Sequence, residues 1–237
     1  MNETYNQLIT QAQKLMSHSG DPVHDISHVK RVVKYTEMIQ GDFVLSTKQK
    51  KATILAAWWH DTGRTITKKP SIVIMPFVDD LISAFMLAKF AILNRLFDDS
   101  VGLAIRIILC KSAGTGTLFT KILLNKKNLF LLNMVDDADK LDLLNPERTL
   151  MIHLMVENSS LYHYGYKLAI WWFLHTQELK LKTRAAKEYL KHLLQKFLSW
   201  LKQAEIFAWH IKEFGITWVN KNIERFERLL FKLSCAS

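Results

Sequence analysis

Apolar residues recur at helical spacing along almost the whole chain, interrupted only by short polar breaks. In residues 2–17 the apolar positions on one helical face are Tyr5, Leu8, Ile9, Ala12, Leu15 and Met16. The same periodicity predicts further helices at 48–59, 79–96, 99–110, 130–144 and through most of 147–237. Because only eight glycines and four prolines occur in 237 residues, the pattern predicts an all-α protein.

A second helix is predicted to begin after the break at 19–22, where glycine and proline fall close together. We expect Asp25 to be its N-cap, because a carboxylate there can accept a hydrogen bond from a backbone N–H of the first turn. His28 then lies in that first turn, and Arg31 shares its face. The pair offers one metal ligand and one cation that can grip a phosphate, although an ordinary solvated helix start has the same composition.

The helix at 48–59 stops abruptly at His60-Asp61, with Gly63 in a position often needed at a helix end. An adjacent imidazole and carboxylate can bind one divalent metal ion if other segments complete the shell. An isolated pair of this kind more often ends a helix and caps the next turn. Arg64 follows closely enough in sequence for its guanidinium to reach a metal-bound phosphate.

Aspartates interrupt the apolar pattern of 130–144 at Asp136, Asp137, Asp139 and Asp142. Burying carboxylates is costly unless a cation or hydrogen-bond donors compensate them. At helical spacing Asp136, Asp139 and Lys140 share roughly one side. The stretch therefore supplies either an inward-facing metal ligand or an acidic stripe on a solvated surface.

The net charge of +10 suits an anionic partner or serves solubility. The lysines are spread over many helical faces and no nucleic-acid module accompanies them, so the pattern favours a solvated surface over nucleic-acid binding. The basic residues of 180–202 fit the outer face of one long helix, whose apolar positions are Ala186, Tyr189, Leu190, Leu193, Leu194, Phe197 and Leu201.

Other global features predict a soluble cytoplasmic protein. Two cysteines, Cys110 and Cys235, are too few for a disulfide framework. The N-terminal residues lack the pattern of a signal peptide. The longest apolar segment, 81–93, is broken by Lys89 and is too short for a membrane span. Histidines of the C-terminal half stand singly and are predicted to be packing or surface residues: His153, His163, His175, His192 and His210.

Three motifs, taken in order, resemble the signature of the HD-domain superfamily of metal-dependent phosphohydrolases: His28-x-x-Arg31-Val32, His60-Asp61-x-Gly63 and Asp137-Ala138-Asp139-Lys140-Leu141-Asp142. The bacterial branch with His-Asp-x-x-His-x-x-Arg-Val early and Asp-Ala-Asp-Lys/Arg-Leu-Asp late is most similar. The resemblance covers about residues 20 to 205. It implies an HD-domain helical bundle with its N-terminal helix over 1–205, and a helical C-terminal extension, 206–237, packed on it.

The resemblance also implies roles for individual residues. The implied metal ligands are His28, His60, Asp61 and Asp139. They would hold one divalent ion, and an imidazole–carboxylate set suits Mn, Fe, Ni, Co, Zn or Mg. The implied catalytic residues are Asp61, which orients water, and Arg31, Arg64 and Lys140, which neutralise phosphoryl oxygens. His24 stands where this branch also has a histidine and is expected to touch substrate.

The chain departs from the family pattern at three places. A histidine is expected near Cys110 and a polar residue within 81–91, yet both places read as apolar or cysteine. This favours a site with one metal ion over a site with two. Gly63-Arg64 stand where guanosine tetraphosphate hydrolases carry an acidic pair, which disfavours that substrate.

The expected function is hydrolysis of a phosphate ester or anhydride, in a nucleotide or related small molecule, by attack of metal-bound water. The alternative is a catalytically weak HD fold that binds a nucleotide or a protein as a regulator through its aromatic, basic C-terminal third. A nucleic-acid protein with an HD domain is a third hypothesis. The segment 65–76 is expected to form a loop that contacts substrate.

Overall fold

The computed structural model describes residues 3–67, 75–112, 116–176 and 180–235. Every regular element within these ranges is a helix, so the predicted all-α fold is confirmed. Each of the described helices falls short, in length or in apolar character, of what a bilayer span requires. The chain divides into two compact units, residues 1–139 and 140–237. The domain boundary predicted between residues 205 and 206 stays a prediction.

The first unit holds the helices that carry the three motifs. They are α1 (Glu3–Met16), α2 (Ile26–Gln40), α3 (Thr47–Trp59), α4 (Met75–Leu93), α5 (Val101–Lys111), α6 (Gly116–Leu123) and the larger part of α7 (Leu129–Asp142). A 3₁₀ helix, Thr62–Ile66, follows α3, and another, Lys126–Asn128, precedes α7. Residues 68–74 of the predicted substrate loop lie outside the described residues.

The core of the first unit forms where α2 and α5 pack on α3 and where α4 packs on α5. Its largest fully buried side chains are Leu8, Met16, Ile39, Leu55, Trp59, Leu87, Ile107, Ile108, Leu131 and Met134. The indole N–H of Trp59 donates to the Leu8 carbonyl at 3.1 Å, which joins the end of α3 to α1. Burial of these apolar side chains supplies the main driving force for this unit.

Side chains cap the two helices that precede the His-Asp pair. The Asp25 carboxylate accepts from the His28 N–H at 2.9 Å, which confirms the predicted N-cap of α2. A capping box begins α3, where Ser46 and Gln49 satisfy each other's backbone N–H groups. Both helix starts are thereby fixed independently of the site.

Gly63 has a different role from the predicted helix end. Helix α3 ends at Trp59, and its C-cap, His60, has a right-handed backbone (φ −54°, ψ −35°). Among the described glycines, positive φ occurs at Gly215. Gly63 instead allows the 3₁₀ helix to approach α4 closely: its N–H donates to the Ser83 hydroxyl at 2.8 Å. A Cβ at this position would lie 2.5 Å from the Asp79 carbonyl oxygen.

The second unit is built from the remaining helices. They are α8 (Pro146–Asn158), α9 (Ser160–Thr176), α10 (Arg184–Leu201), α11 (Ala204–Phe214) and α12 (Ile216–Cys235). Helix α8 packs on α9, and α12 packs on α10 and α11. The predicted inner face of α10 is buried at Ala186, Leu190, Leu193, Leu194, Phe197 and Leu201, as its periodicity indicates.

Two histidines of the second unit lie in an aromatic cluster. The His153 ring stacks on Trp209 with centroids 3.5 Å apart. The His210 Nδ1 lies 2.7 Å from the Ile206 carbonyl, so Nδ1 is the donor and the Tyr166 hydroxyl donates to Nε2 at 2.8 Å. Both imidazoles are buried, which confirms that they are packing residues. The side chain of His175 lies outside the described part of the chain.

Candidate metal centre

The first turn of α2, the end of α3 and the last turn of α7 bring three of the predicted ligands together. His28 and His60 are fully buried, and the Asp139 side chain is 26% exposed. One donor atom from each of the three lies within 4.8 Å of the others. Because imidazole nitrogen and carboxylate oxygen are both common ligands of divalent metals, the group could hold a metal ion.

The His60 ring has the tautomer that a ligand needs. Its Nδ1 lies 2.8 Å from the Ala57 carbonyl oxygen, and a carbonyl can only accept, so in the neutral ring Nδ1 carries the proton. Nε2 then presents its lone pair. This buried atom makes no hydrogen bond within the described residues, which is the state expected of a metal-binding nitrogen.

Asp61 adds a fourth donor atom between the two histidines. Its Oδ2 lies 3.1 Å from Nε2 of His28 and 3.3 Å from Nε2 of His60. The Oδ1 of Asp139 lies 3.4 Å and 4.0 Å from the same two nitrogens. Neighbouring ligands of an ion with bonds of about 2.1 Å are themselves separated by about 3–3.5 Å, so these separations suit donors that face one small ion. Asp61 is not among the three residues whose donor atoms all lie within 4.8 Å of one another.

The electrostatics of the pair favour a positive charge in the cluster. Burial works against a charged His60, but the Asp61 carboxylate outweighs it and the pKa of His60 is raised. Burial likewise works against a charged Asp61, yet its neighbour His60 holds the pKa of Asp61 well below its usual range. A proton and a metal ion therefore compete for the same position.

Lys111, at the end of α5, is a largely buried cation beside this cluster that the sequence did not reveal, with its side chain 11% exposed. Its Nζ lies 2.8 Å from Oδ2 of Asp139 and 3.8 Å from Oδ1 of Asp80. Burial would lower the pKa of Lys111, but Asp139 and Asp80 raise it well above its usual value. Burial raises the pKa of Asp80 to about 7, although Lys111 opposes the rise.

Arg64 lies among carboxylates. Its guanidinium contacts Asp21 at 3.1 Å and Asp79 at 2.6 Å, and its Nε lies 3.7 Å from Oδ1 of Asp61. The side chain is buried, so these three carboxylates form its immediate surroundings. The predicted contact of Arg64 with phosphate stays a prediction.

The segment predicted to be apolar, 81–91, in fact includes a buried polar group. Ser83 is fully buried and receives the hydrogen bond from the Gly63 N–H. Two buried aspartates, Asp79 and Asp80, directly precede the segment. The apolar pattern of α4 did not indicate a role for these residues. Their partners come from the 3₁₀ helix and from α5, which are distant in sequence.

The other predicted site residues lie near the ligands in sequence. Arg31 is partly buried one turn after His28, and Lys140 is the partly buried first residue of the second unit; their roles stay predictions. The His24 Nδ1 lies 2.9 Å from an Asp21 carboxylate oxygen, and its ring meets that of His28 edge-on. Cys110 is buried, and burial raises the pKa of its thiol.

Comparison with known proteins finds no relative: no family model, no curated protein and no solved structure matches this chain. The resemblance to HD domains therefore rests on the three motifs.

Proposed function

We propose that this chain is a metal-dependent phosphohydrolase of the HD superfamily that cleaves a phosphate ester or anhydride in a nucleotide or a related small molecule. One observation carries the proposal: residues from three separate motifs, His28, His60 and Asp139, place donor atoms within 4.8 Å of one another. Asp61 lies beside both histidines. The order of the motifs and this convergence support the same assignment.

The proposed role of each residue follows from the chemistry of its donor atoms. A divalent ion bound by His28, His60, Asp61 and Asp139 would supply Lewis acidity toward a phosphoryl oxygen and lower the pKa of water. The Ala57 carbonyl keeps the proton of neutral His60 on Nδ1, away from the ligand atom. Arg64, 3.7 Å from Asp61 Oδ1, positions that carboxylate.

Substrate binding is assigned to cations near the ligands in sequence. Arg31 follows His28 by one helical turn, and Lys140 directly follows Asp139. An arginine can make a bidentate contact with two phosphoryl oxygens, and a lysine binds them as a point charge. Both residues would neutralise the non-bridging oxygens as negative charge develops on them.

A nucleotide panel tests the proposal. Purified protein is incubated with nucleoside mono-, di- and triphosphates in the presence of Mn²⁺, and released phosphate and pyrophosphate are measured. We expect release from at least one nucleotide and its loss in the double variant His60→Ala, Asp61→Ala. The matched control is His18→Ala, Asp42→Ala, because both residues are exposed. Equal rates in wild type and the His60, Asp61 variant would rule out the assignment.

A regulator that binds a nucleotide without cleaving it is the second candidate. The contact that favours it is the 2.8 Å ion pair of Lys111 with Asp139, because this pair balances charge in the cluster without any metal. Elemental analysis separates the two functions. A stoichiometric transition metal favours the enzyme, whereas a metal-free protein that is stabilised by a nucleotide and leaves it intact favours the regulator.

A further inference from the structure

The two oxygens of the Asp139 carboxylate face two different cationic positions. Oδ1 lies 3.4 Å from Nε2 of His28, on the side of the candidate ligands. Oδ2 lies 2.8 Å from Nζ of Lys111. A carboxylate that offers one oxygen to each of two cations is the kind of ligand that two-ion sites share.

Asp80 faces the same ammonium from α4. Its carboxylate is buried, and Oδ1 makes no hydrogen bond within the described residues. The ammonium of Lys111 lies close by, with Nζ 3.8 Å from this oxygen. A buried carboxylate oxygen without a donor is costly, so the arrangement calls for a cation between Asp80 and Asp139.

We propose that Lys111 is a built-in second cation. Its ammonium occupies the position between Asp80 and Asp139 that a second divalent ion would otherwise take, and it thereby limits the centre to one metal ion. The proposal rests on the metal centre of the proposed function. A neutral residue at position 111 opens a second, oxygen-rich cation site, which suits Mn²⁺ or Mg²⁺.

Counting bound ions tests the role of Lys111. Each protein is dialysed to equilibrium against excess Mn²⁺, and the bound metal per chain is measured by elemental analysis. We expect one ion in the wild type and in Lys111→Arg, which keeps the charge, and two ions in Lys111→Met. Adding Asp80→Asn to Lys111→Met should return the count to one.

The matched control is Lys51→Met. Lys51 is another partly buried lysine that pairs with an aspartate, Asp98, at 3.1 Å. We expect this variant to keep one ion, because its ion pair is not one of the contacts around Asp139. Electron paramagnetic resonance locates the extra ion: two Mn²⁺ ions that share Asp139 couple magnetically, whereas an ion bound elsewhere on the surface gives an uncoupled signal.

The outcomes separate this proposal from the one on which it rests. A wild type that binds no Mn²⁺ overturns both. Three other results overturn the role of Lys111 alone. Lys111→Met could bind one ion, as the wild type does, or it could bind a second ion that is not magnetically coupled to the first. The wild type itself could bind two coupled ions. If Lys111→Met does not fold by circular dichroism, Lys111→Gln carries the same expectations, because it removes the charge and keeps a donor for Asp139.

Discussion

Gly63 and Asp79 approach each other so closely that a side chain at position 63 has no room. A Cβ there would lie 2.5 Å from the Asp79 carbonyl oxygen and 3.1 Å from the Cβ of Ile82. Backbone atoms of a helix cannot move aside as a flexible side chain can. The contact fixes the 3₁₀ helix that carries Arg64 against α4.

Gly63→Ala should therefore destabilise the protein by about 1–3 kcal/mol, the usual cost of forcing extra volume into a packed site. The free energy of unfolding can be measured by urea titration with circular dichroism. Gly102→Ala is the control, because Gly102 is exposed in α5 and a Cβ there meets nothing within 4 Å. That change should be neutral or stabilise by about 1 kcal/mol. Equal effects of the two substitutions would contradict the packing argument.

Removing the Arg64 guanidinium should be costly. Arg64→Met leaves the buried carboxylates of Asp21 and Asp79 without their shared counter-ion, and breaking a buried pair in this way costs about 3–5 kcal/mol. Arg184→Met is the control, since the pair of Arg184 with Glu188 is exposed and such pairs contribute about 0–1 kcal/mol. Urea titrations of both variants check the difference, and a loss below 1 kcal/mol for Arg64→Met would argue against the buried network.

The second unit should lose stability in acid through His153. Burial, together with the nearby His210, lowers the pKa of His153 to about 3. Because the folded pKa lies below the unfolded value of about 6.5, the unfolded chain binds the extra proton more readily. The stabilising contribution is complete above about pH 6.5 and is lost as pH falls toward 3, with a limit on the order of 5 kcal/mol.

The variant His153→Phe keeps a ring against Trp209 and cannot be protonated, so its unfolding free energy should fall less between pH 6.5 and 4 than that of the wild type. His192→Phe is the control, because His192 is exposed on α10. Unfolding by urea at several pH values gives the slopes. If the unfolding free energy of His153→Phe changes with pH as steeply as that of the wild type, the acid sensitivity arises from other groups.

Mn²⁺ should raise the melting temperature of the wild type, because a ligand that binds only the folded state stabilises it in proportion to the logarithm of its concentration. Asp139→Asn should lose this rise, since the amide cannot supply the carboxylate charge. Asp98→Asn is the control: Asp98 also pairs with a lysine, Lys51, but is no part of the His28 cluster. A rise that persists in Asp139→Asn would remove that residue from the ligand set.

The sequence predicted the helices well because their signals are local. The face of α1, the Asp25 cap and the inner face of α10 follow from spacing along one element. The convergence of His28, His60 and Asp139 was predicted from the order of the three motifs, because the resemblance to HD domains implies that these motifs meet in the folded protein. Asp61 could be placed with them because it adjoins His60.

The sequence did not predict the residues whose roles depend on contacts between distant segments. Lys111 directly follows the predicted helix at 99–110, and Asp79 and Asp80 begin the predicted helix at 79–96. Their pairing arises only when α4 and α5 meet. The close packing of Gly63 was missed for the same reason, since a glycine after a helix has a more frequent local explanation.

The donor atoms of the candidate centre come from α2, the end of α3 and α7. Helices α4, α5 and α6 lie between α3 and α7 along the chain. We expect contacts between segments so far apart to form late in folding, because the loops between them must close first. Interactions that form after the folding barrier slow unfolding and leave the folding rate nearly unchanged. Substitutions in the centre should therefore change how long the folded protein lasts more than how quickly it forms.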